Sequence, residues 1–170
     1  VLAEQIGTLA AFSEAPLIVT LALGGRAQTF ESFGWEMRTR VGRLEELATV
    51  VRALLAGERV TFHGRYHTVV SAQISPLPRV PVSLWLAGTV PEAAARAGRL
   101  GDAWLCGQNA SPAELKAQLA VYREAAAQAG RIPRPVLRRD IFVGETDTDV
   151  RDDAFGVTTA PVWCTKIASK

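Results

Sequence analysis

Histidine, cysteine and methionine are scarce here: two, two and one in 170 residues. The histidines, His63 and His67, fall in one short segment with no carboxylate beside them, which makes a poor metal site. They read instead as a solvated hairpin face, and no metal is expected. Cys106 and Cys164 have neither metal nor disulfide spacing and read as reduced thiols of a cytoplasmic protein. No apolar run approaches the roughly 18 residues of a membrane span. Charge of one sign is missing too: 19 Lys and Arg oppose 17 Asp and Glu. The local run Arg131, Arg134, Arg138 and Arg139 is broken by two prolines and lacks interleaved aromatics, so it reads as a solvated loop and strand edge, and no nucleic-acid partner is expected. Low-complexity segments are absent. Asn109-Ala110-Ser111 has the glycosylation pattern but reads better as a loop leading to a Ser111 helix cap.

What is present suits one globular domain: 48% of residues are hydrophobic, enough for a sizeable core. Leu2 to Phe12 is an amphipathic helix pattern with Leu2, Ile6 and Leu9 on one stripe. "LIVTLAL", Leu17 to Leu23, reads as a strand buried on both faces, stopped by Gly24-Gly25. A loop to about Glu36 precedes a strong helix signal at Leu44, Leu47, Ala48, Val51, Leu54 and Leu55, with Gly57 as its C-cap. Arg59 to Val69 reads as a hairpin turning at His63-Gly64. Then come a strand at 82–87, a helix at 90–99, a short strand at 102–106 and a helix from Pro112 to about Ala129. Ser111-x-x-Glu114 is a capping box opening that last helix. Val136 to about residue 143 reads as a further strand, and Thr146-Asp147 as the cap of one more helix. Strand and helix thus alternate four times, which implies a parallel sheet with right-handed crossovers. From Phe155 onward the helical period is lost, so 155–170 read as a tail of uncertain origin and 1–154 as the ordered unit. The chain starts at Val1 inside a helix pattern and reads as a piece of a longer protein.

"LWLAGTVPEAAARAGRLGDAWL", Leu84 to Leu105, raises a specific question. A strand stops at Gly88 and a helix starts at once, with Thr89 as the expected cap and Thr89-x-x-Glu92 as a second capping box. A helix N-terminus beside a glycine favours anions, yet the same turn is ordinary architecture in α/β proteins.

The ordered series "LIVTLALGGR", "TFESFG", "RVGRLEELATVVRALLAGERVTFHGRYHTV", "SPLPRVPVSLWLAG" and "PEAAARAGRLGDAWL" resembles the luciferase-like monooxygenases, a group that includes bacterial luciferases, alkanesulfonate monooxygenases and deazaflavin-dependent oxidoreductases. Its most specific parts are Arg40-x-x-Arg43-x-x-Glu46, the Gly57-Glu58 turn into Phe62-x-Gly64-x-Tyr66, and Leu86 to Trp104. The resemblance implies an α/β fold: a partial (β/α)8 barrel of about four parallel units plus a hairpin excursion. A complete barrel needs about 250 residues. It also implies an oxidoreductase, in particular a monooxygenase, acting on a small organic substrate with reduced FMN or a deazaflavin, and it admits a homodimer. Acid–base residues that family members place on early strands would lie outside this segment, which leaves the catalytic residues unassigned.

By the same resemblance, Ala87, Gly88, Thr89 and Val90 would meet the cofactor phosphate. Gly24, Gly25 and Arg26 would end the first strand at the same face, where the guanidinium either meets charge or is solvated. Cys106 and Gly107 end another strand, where Trp104 and Leu105 either touch the ring system or pack in the core. Arg40 either reaches the phosphate or joins Arg43 and Glu46 in helix-face ion pairs. Two other readings stand beside this one. A self-contained dinucleotide-binding domain would need Gly-x-Gly-x-x-Gly after the first strand, where the chain has "LGGRAQTF". A truncated product without activity would carry unpaired strand edges.

Overall fold

A computed structural model describes residues 1–139 and Thr146. Its elements in chain order are α1 (Leu2–Phe12), β1 (Leu17–Leu21), α2 (Ala27–Ser32), a 3-10 turn (Met37–Thr39), α3 (Arg40–Leu55), β2 (Val60–His63), β3 (Thr68–Ala72), β4 (Val82–Gly88), α4 (Pro91–Leu100), β5 (Ala103–Cys106), α5 (Pro112–Gln128) and β6 (Pro135–Val136). The main sheet is parallel in the order β1-β4-β5-β6, and β2 and β3 form a separate antiparallel pair. The four strands are therefore adjacent in chain order, as the alternation implies. β1 lies at one edge and is not inserted between others, as a doubly wound sheet would require.

The register explains the layering. Val19, Leu84 and Leu21, Leu86 are laterally paired, and Leu86 pairs in turn with Trp104. These residues share one face, and the helices cover it. Ala3 and Ile6 of α1 join Val50, Val51 and Leu54 of α3 over Leu84, while Ala94, Ala97 and Tyr122 of α4 and α5 close over Leu86, Trp104 and Cys106. The opposite face carries Ile18, Thr20, Trp85, Ala87 and Leu105 and is much less covered; Ile18 is 58% exposed. This is the geometry of a barrel segment, with helices outside and an inner sheet face. The expectation that the first strand is buried on both faces therefore fails for Ile18 and Thr20.

Trp104 organises the sheet. It is fully buried, its ring centroid is 5.5 Å from that of Tyr122, and its indole Nε1 donates to the Gly88 carbonyl at 3.2 Å. The Tyr122 hydroxyl in turn accepts the Arg134 N–H at 2.8 Å, at the entrance to β6. α4 and α5 lie close because Gly98 has no side chain: a Cβ there would come within 2.7 Å of the Tyr122 carbonyl oxygen. At the N-terminal end of β5, Asp102 accepts the Leu84 N–H at 2.7 Å and pairs with Arg52 at 2.8 Å and Arg131 at 3.5 Å.

Local expectations divide. The Ser111–Glu114 capping box forms as read, and Gly57 ends α3 with φ +83. Thr89, however, is not a cap: Val90 takes that position with Pro91 following, so no Thr89–Glu92 box exists. The buried stripe of α1 is Ala3, Ile6, Gly7 and Ala10, and Leu9 is exposed. The segment read as a loop before Glu36 contains α2. Arg131 and Arg139 are not a solvated edge, since both donate to backbone carbonyls. The described part of β6 is Pro135–Val136. The continuation of that strand to 143, the cap residue Asp147 and the tail 155–170 lie outside the described residues.

The Arg40-x-x-Arg43-x-x-Glu46 helix entry is a clamp for the hairpin and not a ladder of ion pairs. Glu46 accepts the N–H groups of Arg65, Tyr66 and His67 at 2.7, 2.9 and 2.9 Å. The Arg43 guanidinium lies 5.0 Å from the Trp35 ring and 5.1 Å from the Tyr66 ring, and the Arg43 carbonyl meets His67 Nε2 at 3.2 Å. His67 thus belongs to the turn and does not extend a strand face with His63. Partial burial pushes the Glu46 carboxyl up, but the N–H donors of Tyr66, Arg65 and His67, helped by the His67 charge, outweigh it and hold the pKa below its ordinary 4.5.

Two outcomes follow. Trp104→Ala should lower the unfolding free energy by about 3–5 kcal/mol, and Tyr122→Phe by about 1–3 kcal/mol through the orphaned Arg134 N–H, both read as denaturant midpoints at unchanged slope. Because the folded carboxyl of Glu46 is depressed, its stabilisation is fully present above the unfolded pKa and is lost as pH falls through the lower folded value. Glu46→Gln should therefore be less stable than wild type at pH 7, with the difference shrinking below about pH 4.5; a difference independent of pH would show that the anion is not what holds the hairpin.

Candidate functional site

All four parallel strands deliver their C-terminal ends to one face, and a cavity of about 370 Å3 opens there between β4 and β5. Ala87, Gly88 and Thr89 form one wall, Leu105 to Ala110 the other, with Glu114 and Gln118 of α5 and Arg138 completing it. The two strand ends are locked to each other. A Cβ on Gly107 would collide with the Thr89 side chain, and one on Gly88 would collide with Ala93 of α4. Both glycines are thus required by close packing, and the missing side chain of Gly88 points into helix α4. A substitution at Gly88 would test that packing before it tested any ligand.

The polar groups of the cavity fall into two sets. At the rim, Thr89 and Val90 bridge strand and helix, and their backbone N–H groups have no partner among the described residues. They lie at the N-terminus of α4, where the helix dipole favours negative charge. The exposed residue Arg138 also lines this opening and carries a positive charge. Deeper in, Gln118 is only 6% exposed and its Nε2 donates to the Thr89 carbonyl at 3.0 Å. Its Oε1 has no hydrogen-bond partner among the described residues, nor has Gln108 Oε1. Buried polar atoms are normally paired; these two oxygens are enclosed within the wall and do not open onto the cavity.

Arg139 shapes the far wall. Its guanidinium collects the carbonyls of Gly107, Gln108 and Ala110 at 3.2, 2.7 and 2.9 Å. Glu114 also lines the cavity, but its carboxylate accepts the Ser111 N–H at 2.8 Å, and that bond with the Ser111 hydroxyl pulls its pKa down. It is a cap and not a free acid or base.

Of the residues singled out from sequence, Ala87, Gly88, Thr89, Cys106 and Gly107 line the cavity, as does Leu105. Cys106 is 4% exposed and packs in the helix-side core with Trp104 and Tyr122. Val90 adjoins the cavity as the exposed cap of α4. Gly24, Gly25 and Arg26 follow β1 at the same end of the sheet but are exposed and do not reach the cavity. Arg40 opens α3 and is also absent from it. Gln108, Gln118, Arg138 and Arg139 were missed. For Gln118 a signal existed: it lies three residues after Leu115 and four before Tyr122, a polar residue at a core position of α5. Among the described residues no cluster of His, Cys, Asp and Glu could hold a metal ion, and no helix is long and apolar enough to cross a membrane.

The family model described as luciferase-like monooxygenase matches residues 1–166. Among curated proteins, the chain is 29% identical to the F420-dependent hydroxymycolic acid dehydrogenase of Mycobacterium tuberculosis, over 95% of this chain and 44% of that protein. It is 33% identical to the F420-dependent glucose-6-phosphate dehydrogenase of Mycolicibacterium gilvum, over 75% of this chain and 38% of that protein. The chain thus spans less than half the length of these curated relatives. Among solved structures, an F420-dependent secondary alcohol dehydrogenase in complex with an F420–acetone adduct superposes with a TM-score of 0.70 at 25% identity, over 80% of this chain and 43% of that one. With the barrel-segment geometry already established and a match across nearly its whole length, the chain belongs to the luciferase-like monooxygenase family, as a partial barrel.

Proposed function

We propose that the protein carrying this segment is a deazaflavin-dependent oxidoreductase that transfers a hydride between its cofactor and a small organic substrate, and that the cavity at the ends of β4 and β5 holds the cofactor's side chain. The observation that carries this reading is the anion-favouring rim, where the N–H groups of Thr89 and Val90 stand without partners among the described residues at the N-terminus of α4. A ligand with a terminal phosphate fits this rim. The choice of deazaflavin over FMN, and of dehydrogenase over oxygen-inserting chemistry, is supported by the names of the relatives above 28% identity.

When bound, such a cofactor supplies the hydride donor or acceptor, and the protein supplies binding and orientation. Thr89 and Val90 would donate N–H groups to the phosphate, and Arg138 would add a charge that strengthens these bonds. Ala87 and Leu105, on the inner sheet face, present an apolar wall without bulk near the strand ends. Trp104 holds the Gly88 carbonyl and thereby the angle at which β4 enters α4. No free carboxylate or histidine borders the cavity among the described residues.

The test is titration of the full-length protein with a phosphorylated 5-deazaflavin and, in parallel, with FMN. Arg138→Ala should weaken deazaflavin binding about tenfold, equivalent to about 1.4 kcal/mol, and should flatten its salt dependence, without altering the thermal midpoint. Unchanged affinity in the variant, or tighter binding of FMN than of the deazaflavin by wild type, would overturn the assignment.

A further inference from the structure

Two side-chain hydrogen bonds end on consecutive peptide units. Trp104 Nε1 donates to the Gly88 carbonyl at 3.2 Å, and Gln118 Nε2 donates to the Thr89 carbonyl at 3.0 Å. In a trans peptide the C=O and the N–H lie in one plane and point in opposite directions. The Gly88 carbonyl therefore shares its plane with the Thr89 N–H, and the Thr89 carbonyl shares its plane with the Val90 N–H. These are the two rim donors that stand without partners among the described residues. Both units lie at the junction of β4 and α4, past the last paired residues Gly88 and Cys106 of the ladder. A peptide unit whose N–H is free is held by hydrogen bonding only through its carbonyl. Here both carbonyls are held from inside, by a fully buried Trp104 and by Gln118 at 6% exposure, so both N–H groups are turned away from the core.

Two details separate this arrangement from plain packing. The Gln118 amide leaves its own oxygen buried and unpaired, and an unpaired buried acceptor is costly. A core position filled for stability alone would favour an apolar side chain; what the amide adds is the donor to Thr89. The first helical residue of α4 is Pro91, which has no N–H to offer. The start of the helix therefore depends on the Thr89 and Val90 units for its donors.

We propose that Gln118 and Trp104 are positioning residues for the anion-favouring rim, each holding one peptide unit so that its N–H, and not its carbonyl, faces the phosphate. This rests on the phosphate reading of the rim given under Proposed function. Neither side chain needs to touch the anion. Without the buried donor a peptide unit is free to turn over, which places a carbonyl oxygen where the anion sits. A carbonyl that accepts a hydrogen bond also polarises its own peptide unit and makes the N–H on the other side a stronger donor.

The experiment compares two ligands that differ only in the phosphate. Full-length wild type, Gln118→Met and Trp104→Phe are titrated with an N10-ribityl 5-deazaflavin carrying a terminal phosphate and with its dephosphorylated form, and folding is checked by the thermal midpoint. Met keeps the length of the Gln118 side chain without its donor, and Phe keeps an aromatic ring without the indole N–H. Wild type should prefer the phosphorylated ligand. Each variant should reduce that preference about tenfold, the loss of one hydrogen bond to a charged group, with affinity for the dephosphorylated ligand unchanged. A merely structural role would weaken both ligands alike. That result, or a preference retained in full by either folded variant, would overturn the proposal and leave the phosphate reading of the rim in place. A wild type that binds the two ligands equally would overturn both. Should Trp104→Phe fail to fold, Gln118→Met carries the same comparison.

Discussion

The fully buried Trp104 is the constraint on which the other parts of this structure depend. Its ring fills the space between β5 and the helices, and its single polar atom ties β5 to the last carbonyl of β4. Tyr122, its ring tilted against the indole with centroids 5.5 Å apart, extends the tie through α5 to the entrance of β6. An indole buried without a partner for its N–H would be a liability. Here the partner is the carbonyl of Gly88, the residue whose missing side chain lets α4 begin directly against the strand. Packing of the core and placement of the cavity are therefore one problem. Anything that moves Trp104 moves the strand end, and with it the N–H groups of Thr89 and Val90.

Charge works at the opposite end. Asp102 binds the Leu84 N–H and two arginines at the N-terminal side of β5, and Glu45 of α3 reaches the buried Arg96 of α4 at 3.0 Å. The Asp102 group lies at the end of β5 away from the cavity, and the Glu45–Arg96 pair ties α3 to α4. The division resembles that of complete barrels, where one rim serves stability and the other carries ligands. The walls of the cavity are fixed by Trp104, by the Thr89–Gly107 contact and by Arg139.

The alternation of elements was readable because its signals are local. A β-rich apolar run, a 3.6-residue stripe and a Ser-x-x-Glu box each announce themselves within a few residues. The misreadings arose where a signal had two local meanings. Thr89-x-x-Glu92 matches a capping box, but Pro91 shifts the first helical position and hands the cap to Val90. Leu9 falls on a plausible stripe, yet the surface that α1 packs against favours the small Ala3, Gly7 and Ala10. Arg40-x-x-Arg43-x-x-Glu46 has ion-pair spacing, but three backbone N–H groups from a turn some twenty residues away compete better for the carboxylate.

The sequence by itself determined the fold class and the order of the parallel strands, because hydrophobic periodicity and right-handed crossovers leave few alternatives. It also placed Ala87, Gly88, Thr89 and Gly107 at the C-terminal ends of their strands. Only the tertiary structure decided which strand ends face a common space, since that depends on lateral pairing: β4 and β5 share a cavity, while Gly24 to Arg26 beside β1 do not reach it. Only the tertiary structure showed that Cys106 belongs to the core and that Gln108 and Gln118 do not have their hydrogen bonds satisfied. The reason is physical: whether a polar atom is paired is a property of everything folded around it, and no spacing along the chain records it.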